Sequence, residues 1–155
     1  LGNIDIKEIN HNQNISLSNE LTVMPFTVPH RDEFSETVGY KILGKNRSAL
    51  FIPDIDKWYL WEKSIIEEVK SVDYAFLDAT FFSGEEINRS MSEIPHPFIS
   101  ETIEIFEDEE LSTKNKIYFI HFNHTNPVLN QKISLRDSII KLGFNFAKFG
   151  DRYEL

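Results

Sequence analysis

The sequence predicts an α/β fold in which helices pack on a mixed sheet, and three observations carry that prediction. The first third of the chain alternates apolar and polar residues at strand period. Beyond it, segments of helical spacing take turns with short apolar runs. Several of those runs stop abruptly at histidine, aspartate or proline. That is how a buried strand delivers polar side chains to its exit loop.

The elements follow in order. Ile4 to Ile9 alternates as a half-exposed strand, and His11-Asn12-Gln13-Asn14 reads as a turn. Leu21 to Val28 is a second strand; its proline, Pro25, and the following Pro29 predict an edge strand, or one that ends at Pro29. Thr37 to Leu43 and Ser48 to Ile52 pair as a hairpin through Gly44-Lys45-Asn46-Arg47. The period then changes. Trp58, Trp61, Ile65, Val69 and Val72 recur at helical spacing, predicting one helix with Asp56 as its N-cap. Val72 to Leu77 returns to strand, and a loop around Ser83-Gly84-Glu85-Glu86 follows. Phe98 to Glu109 reads as a helix with Phe98, Thr102, Ile105 and Phe106 on its apolar face. Ile117 to Ile120 is a strand running into His121. A short helix starts at Ser134 and stops at Gly143, since glycine relaxes into the left-handed conformation after a helix. Phe144 to Phe149 alternates as the last strand.

Composition narrows the function classes. Apolar residues make up 41% of the 155, with thirteen phenylalanines, so one domain spanning residues 1–155 with a real core is expected. A formal charge of −9 without any basic run argues against a nucleic-acid surface. No apolar run nears the roughly 20 residues that span a bilayer. The absence of cysteine excludes disulfides and thiolate metal sites, and fits a reducing, cytoplasmic compartment. The chain opens on Leu1, so the expectation is a portion of something longer.

Four strand ends carry ligand-type residues: Pro29-His30-Arg31-Asp32-Glu33, Pro53-Asp54-Ile55-Asp56, Asp78-Ala79-Thr80, and His121-Phe122-Asn123-His124-Thr125-Asn126-Pro127. In α/β sheets, sites form at the carboxyl ends of strands, so these ends could converge. Imidazole and carboxylate without sulfur suit Zn, Mn or Fe, and metals bridged by an aspartate support hydrolysis. Each has a plainer reading. His30 can simply be hydrogen-bonded in its loop, Asp54 or Asp56 can cap a helix, and Asp78 can bond its own turn. His124 and Asn126 can brace their loop; His96, between Pro95 and Pro97, belongs to a rigid turn; His11 is solvated. Glu107-Asp108-Glu109-Glu110 reads as a solvated helix end.

The same four places carry a resemblance. Val28 to Tyr40, Phe51 to Trp58, Leu77 to Phe82 and Ile120 to Pro127 occur in the order found in the C-terminal half of metallo-β-lactamase-fold proteins. They are most similar to those of the pyrroloquinoline quinone biosynthesis protein B type, over roughly Leu21 to Gly150. The resemblance implies half of an αββα sandwich, one mixed sheet covered by helices. It implies a metal site in which His30 and His121 are ligands and Asp54 a bridging ligand, with Asp56 as its rival. Zinc is the first expectation, manganese or iron the alternatives. Asp54, Asp78 and His124 are the implied catalytic residues, and Asp78, Asn123 and His124 the groups that orient ligands or face substrate.

One departure stands out. The superfamily's His-x-His-x-Asp-His signature occurs nowhere in this sequence. Only three matched ligands remain, so a tight dinuclear centre is not expected in this chain. The implied function is part of a metal-dependent hydrolase, or an oxygen-activating enzyme, acting on a small molecule or peptide once an N-terminal half supplies the signature. The alternative is a non-catalytic binding or assembly module that retains the fold. In either case an apolar sheet face is expected to need cover, from the missing half or from a second copy. A hydrolase acting alone through His121 and Asp78 is disfavoured, for no activated Ser or Cys nucleophile is evident.

Overall fold

Residues 2–86, 93–130 and 134–155 are described by a computed structural model of the chain. Its centre is a seven-stranded mixed sheet whose strands lie side by side in chain order. They are β1 (Ile15–Ser18), β2 (Leu21–Val28), β3 (Thr37–Leu43), β4 (Ser48–Ile52), β5 (Tyr74–Asp78), β6 (Ile117–Ile120) and β7 (Asn145–Phe146). The pairs β1–β2, β2–β3 and β3–β4 are antiparallel, whereas β4–β5, β5–β6 and β6–β7 are parallel. The parallel half needs crossovers, and helices supply them. These are α1 (Ile65–Lys70) between β4 and β5, α2 (Ile99–Ile105) and α3 (Leu111–Lys114) before β6, and α4 (Leu135–Lys141) before β7.

Register decides which residues share a face. Leu50 pairs with Ala75 and Ile52 with Leu77; Ala75 pairs with Ile117 and Leu77 with Phe119, which meets Phe146. These residues form one buried cluster with Ile65 and Val69 of α1, Ile99 of α2 and Ile139 of α4. Each leucine, isoleucine, valine or phenylalanine among them contributes about 1.5–3 kcal/mol by leaving water. The alternate residues Val38, Tyr40, Ile42, Phe51, Tyr74, Phe76, Tyr118 and Ile120 look the other way and stay half-buried. Part of that outward face is covered by the C-terminal segment. The Tyr153 ring packs on Tyr74, Phe76 and Tyr118 at centroid distances of 5.4, 4.8 and 5.0 Å.

The hairpin forms as expected, closed by the Gly44 N–H donating to the Arg47 carbonyl at 2.9 Å. Pro25 is accommodated inside β2 because β1 pairs only as far along as Val23. The Pro25 carbonyl accepts from the Asn12 N–H, on the side away from β3. The missing proline N–H points the same way, so no ladder bond to β3 is lost. Gly39 is required by close approach, since a Cβ there would lie 2.6 Å from the Phe26 ring, which stacks on Trp61. Gly143 has φ 101°, the left-handed stop expected after α4.

Several expectations are corrected. Ile4 to Ile9 is not a strand; it is exposed and pairs with nothing described, and an unpaired strand has no ladder to stabilise it. The single helix from Trp58 to Val72 is instead a 3₁₀ turn, Trp58–Leu60, and α1. All five apolar residues are buried as their spacing demands, but Trp61 is extended and Ser64 restarts the helix by accepting from the Glu67 N–H. The Ser64-Ile65-Ile66-Glu67 pattern is the capping signature that spacing alone overlooked. Asp56 caps no helix; its Oδ1 accepts from the adjacent Lys57 N–H at 2.8 Å. The helix beginning after Phe98 stops at Ile105, ahead of the acidic run that disfavours its C-terminal end, and Ile105 is 37% exposed rather than on the buried face. The last strand covers only Asn145–Phe146, because Lys148 and Asp151 turn the chain through reciprocal hydrogen bonds. No helix among the described residues is long and apolar enough to cross a membrane.

Two measurements check this packing. Gly39→Ala should cost about 1–3 kcal/mol in urea denaturation, since the Phe26 ring must leave its stack on Trp61. Burial, reinforced by the Asp151 carboxylate, pushes the Tyr153 phenol up to about 12. Its ionised form is disfavoured in the folded chain, so stability should fall as pH rises from the ordinary tyrosine range towards that value. In a spectrophotometric titration, Tyr153→Phe should remove a late-ionising step.

Candidate metal centre

The strand directions bring the candidate residues together. β2, β4, β5 and β6 all point the same way, so their carboxyl ends share one edge of the sheet. Pro53 stops β4 after Ile52, and Asp54 follows in the turn. Asp78 is the last residue of β5 and pairs with Ile120, so His121 emerges directly beside it. His30 leaves β2 on the same edge, and the Asp56 N–H donates to the Pro29 carbonyl at 2.7 Å, tying the two exits together.

Asp54, Asp78, His96 and His121 each offer a ligand atom, and these atoms lie within 4.8 Å of one another. Asp78 is the most buried of them, with no exposed surface. Its Oδ1 accepts from the Thr80 N–H at 2.9 Å and from the Thr80 hydroxyl at 2.6 Å. Its Oδ2 accepts from the Ile55 N–H at 3.3 Å and lies 2.8 Å from His96 Nδ1. His121 Nδ1 is 3.6 Å from Asp78 Oδ1 and 3.2 Å from Thr80 Oγ1. Burial by itself would raise the Asp78 carboxyl, but the histidines and Thr80 overcome it and hold the group below the usual carboxylate range. His121 is raised in turn by the neighbouring Asp78 carboxylate, against the opposing effect of burial and with help from the Asp54 charge.

The backbone at His121 has φ +61°, the left-handed region that a side chain with a Cβ rarely adopts. Such a conformation costs on the order of 1–2 kcal/mol and persists only where the surroundings impose it. The surroundings here are the loop bonds. The Ala79 N–H donates to the Ile120 carbonyl at 2.9 Å and the Asn123 N–H to the Thr80 carbonyl at 2.9 Å. Buried Asn126 donates to the carbonyls of Ala79 and Thr80 at 2.9 and 3.2 Å and accepts from the Val128 N–H at 3.1 Å. The bracing expected of Asn126 is thus present.

Of the residues singled out in the sequence, Asp54, Asp78 and His121 are in the cluster. His30 is at its border, with Nε2 3.4 Å from Asp54 Oδ2 and its ring centroid 5.6 Å from that of His96. Asp56 stays outside, engaged with Lys57. His124 is exposed on the β6 exit loop and is not among the grouped side chains, and Asn123 donates to Thr125 at 2.8 Å. His96 is the residue that sequence reasoning missed. The turn between Pro95 and Pro97 carries its imidazole to Asp78, and Nδ1 also lies 3.4 Å from Asp54 Oδ1. The flanking prolines were the available signal, since they restrict the backbone that presents this ring.

The donor set fits a divalent cation. Two imidazoles and two carboxylates suit zinc, manganese or iron without thiolate. Asp54 Oδ1 and His30 Nδ1 are buried without a hydrogen-bond partner among the described residues. A cation is one group that would satisfy such orphaned atoms. His121 also gives a direct check on strain. His121→Gly should unfold at higher urea than His121→Ala, by about 1 kcal/mol, because glycine accepts the left-handed backbone.

Comparison with known proteins agrees with this architecture. The chain is similar in structure to Zn(2+)-bound PqqB from Methylobacterium extorquens, with a TM-score of 0.72 and 20% identity over 95% of this chain and 55% of that one. It is similar to the metallo-beta-lactamase fold protein YhfI from Bacillus subtilis, with a TM-score of 0.61 and 14% identity over 94% of this chain and 54% of that one. CmlA, a diiron beta-hydroxylase from Streptomyces venezuelae, aligns with a TM-score of 0.53 and 13% identity over 94% of this chain and 33% of its own. At these identities the likeness shows the fold, and the chain spans about half the length of the first two proteins. A search of curated proteins finds no match. The family model for the Beta-lactamase superfamily domain matches residues 2–122, and the chain belongs to that superfamily.

Proposed function

We propose that this chain is the metal-holding C-terminal portion of a metal-dependent enzyme of the superfamily, with hydrolysis as the first reaction to test. The observation that carries the reading is the convergence of Asp54, Asp78, His96 and His121 on one sheet edge. PqqB is Zn(2+)-bound and CmlA is a diiron hydroxylase, which supports a divalent metal here and keeps oxygen activation as the second chemistry. Zinc is the metal we assign first. The likeness to PqqB makes a step of pyrroloquinoline quinone biosynthesis the leading candidate for its setting.

In this reading Asp54, with an oxygen towards His30 and one towards His96, and His121 hold the cation, and His30 and His96 complete the set from either side. Bound there, a divalent cation supplies a water acidified to a pKa of about 7 and an electrophile for a carbonyl or phosphoryl oxygen. Asp78 keeps His96 and His121 oriented. His124, exposed beyond the cluster, is assigned to the substrate side. The substrate is a small molecule or peptide, reached from the open edge of the sheet. The half-buried outward face, with Tyr40, Ile42, Phe51 and Ile120, supports a covering partner, either the remainder of the fold or a second copy.

Equilibrium dialysis against zinc followed by metal analysis tests the site. The chain should retain about one equivalent, and Asp54→Ala should lower the affinity by at least about tenfold. Equal metal in both forms would sink the assignment of Asp54 and favour a non-catalytic module that keeps the fold.

A further inference from the structure

Lys57 is 7% exposed, an unusual place for an ammonium group. Its Nζ donates to both oxygens of Glu101 at 3.0 and 2.9 Å and lies 3.8 Å from the centroid of the Phe98 ring. Glu101 Oε2 also accepts from the Phe98 N–H at 2.9 Å. Next to this pair, the Trp58 indole N–H donates to Thr102 Oγ1 at 2.9 Å, and that hydroxyl donates to the Phe98 carbonyl at 3.1 Å. The Lys57–Glu101 and Trp58–Thr102 bonds join the segment after β4 to the start of α2, and the two bonds to Phe98 fix Glu101 and Thr102 within that start. The turn carries Asp54, and the residues just before α2 carry His96. Among the described residues, no side chain of α2 belongs to the cluster itself.

The pair is buried at Lys57 and 35% exposed at the Glu101 side chain. An ion pair drawn this far out of water is a poor way to gain stability, because apolar residues of similar volume usually serve as well or better. What it adds is direction. Two charge-assisted bonds to one carboxylate, with the ammonium seated on a ring, narrow the relative placement of the two segments, whereas apolar contact tolerates sliding. The consequence is felt where Asp54 Oδ1, without a hydrogen bond among the described residues, stands 3.4 Å from His96 Nδ1, which is bonded to Asp78 Oδ2 at 2.8 Å. A shift on the order of 1 Å between the segments would undo that juxtaposition.

We propose that Lys57 and Glu101 are positioning residues, a brace that holds the His96 turn against the Asp54 turn and so sets the arrangement of side chains in the candidate centre. Its consequence for metal affinity rests on the metal reading above; its consequence for His96 does not.

The test compares the 155-residue chain with Lys57→Met, Glu101→Gln and Lys57→Arg, and with Ile139→Val as a core change on α4 that does not touch the brace. In the metal-free chain, nitrogen-edited NMR of the imidazoles should show a protected His96 ring N–H, and amide relaxation should show Glu93, Ile94, His96 and Phe98 ordered. Lys57→Met and Glu101→Gln should lose the ring signal and drop the order parameters below about 0.6. Lys57→Arg should restore both, and Ile139→Val should keep them despite a lower melting temperature. With cobalt(II) as the probe, affinity should fall about tenfold in Lys57→Met and Glu101→Gln, with an altered ligand-field spectrum, and recover in Lys57→Arg. If the first two variants melt earlier yet leave the His96 signal, the loop order and cobalt binding as they were, the pair is only a stability clamp and the proposal fails. If Ile139→Val produces the same losses, general loosening explains them and it fails as well. Absence of cobalt binding in the unaltered chain would remove the metal reading, and the His96 signals would still decide the brace.

Discussion

A carboxylate with no exposed surface terminates the central strand of the parallel half of the sheet, and the edge is built around the need to satisfy it. Removing a charged carboxylate from water is costly unless donors replace the lost hydration. At Asp78 the replacements come from three directions: the N–H and hydroxyl of Thr80, the N–H of Ile55 beyond β4, and the imidazole of His96. Each bond draws a different loop inward. Asp78 is therefore the point to which the exits of β4 and β5 and the turn before α2 are tied, and His121 at the end of β6 closes on it from the remaining side.

This arrangement depends on strand direction before it depends on any side chain. The antiparallel start of the sheet brings β2 and β4 to run together, and the parallel crossovers keep β5 and β6 in the same sense. Had any crossover been replaced by a hairpin, one of the four ends would have emerged at the far edge. The helices that make the crossovers bury the inner face, while the outward face carries tyrosines and phenylalanines only partly covered by the tail at Tyr153. The sheet thus has one closed and one half-open face, and the chain spans about half the length of PqqB and YhfI.

The cluster combines strain, burial and charge at one place. His121 occupies a left-handed backbone position, Asp78 is fully buried, and Asp54 keeps an unpartnered buried oxygen. Each of these is unfavourable for stability taken alone. Their coincidence is characteristic of sites whose geometry serves binding rather than folding.

Much of this was legible in the residues themselves. The hairpin through Gly44, the burial of Trp58, Trp61, Ile65, Val69 and Val72, the stop at Gly143 and the polar strand ends at Asp54, Asp78 and His121 follow from period, turn chemistry and residue type, which are local properties. The break after Trp58–Leu60 was also local, written in Ser64 and Glu67, but hidden by an apolar spacing that suits one helix or two pieces equally well. His96 was not legible in this way. It lies on no strand end, and its nearest partners, Asp78 and Asp54, are distant in the chain and meet it only because the segment before α2 folds back over the sheet edge. The unpaired Ile4 to Ile9 segment makes the same point from the other side, for alternation marks a strand only where a neighbour offers a ladder. Sequence alone thus determined most of the elements and the chemistry each strand delivers, but not which alternating segment finds a ladder. The tertiary structure decided which of those groups meet, because proximity across a sheet edge is set by strand order and direction, which no local pattern encodes.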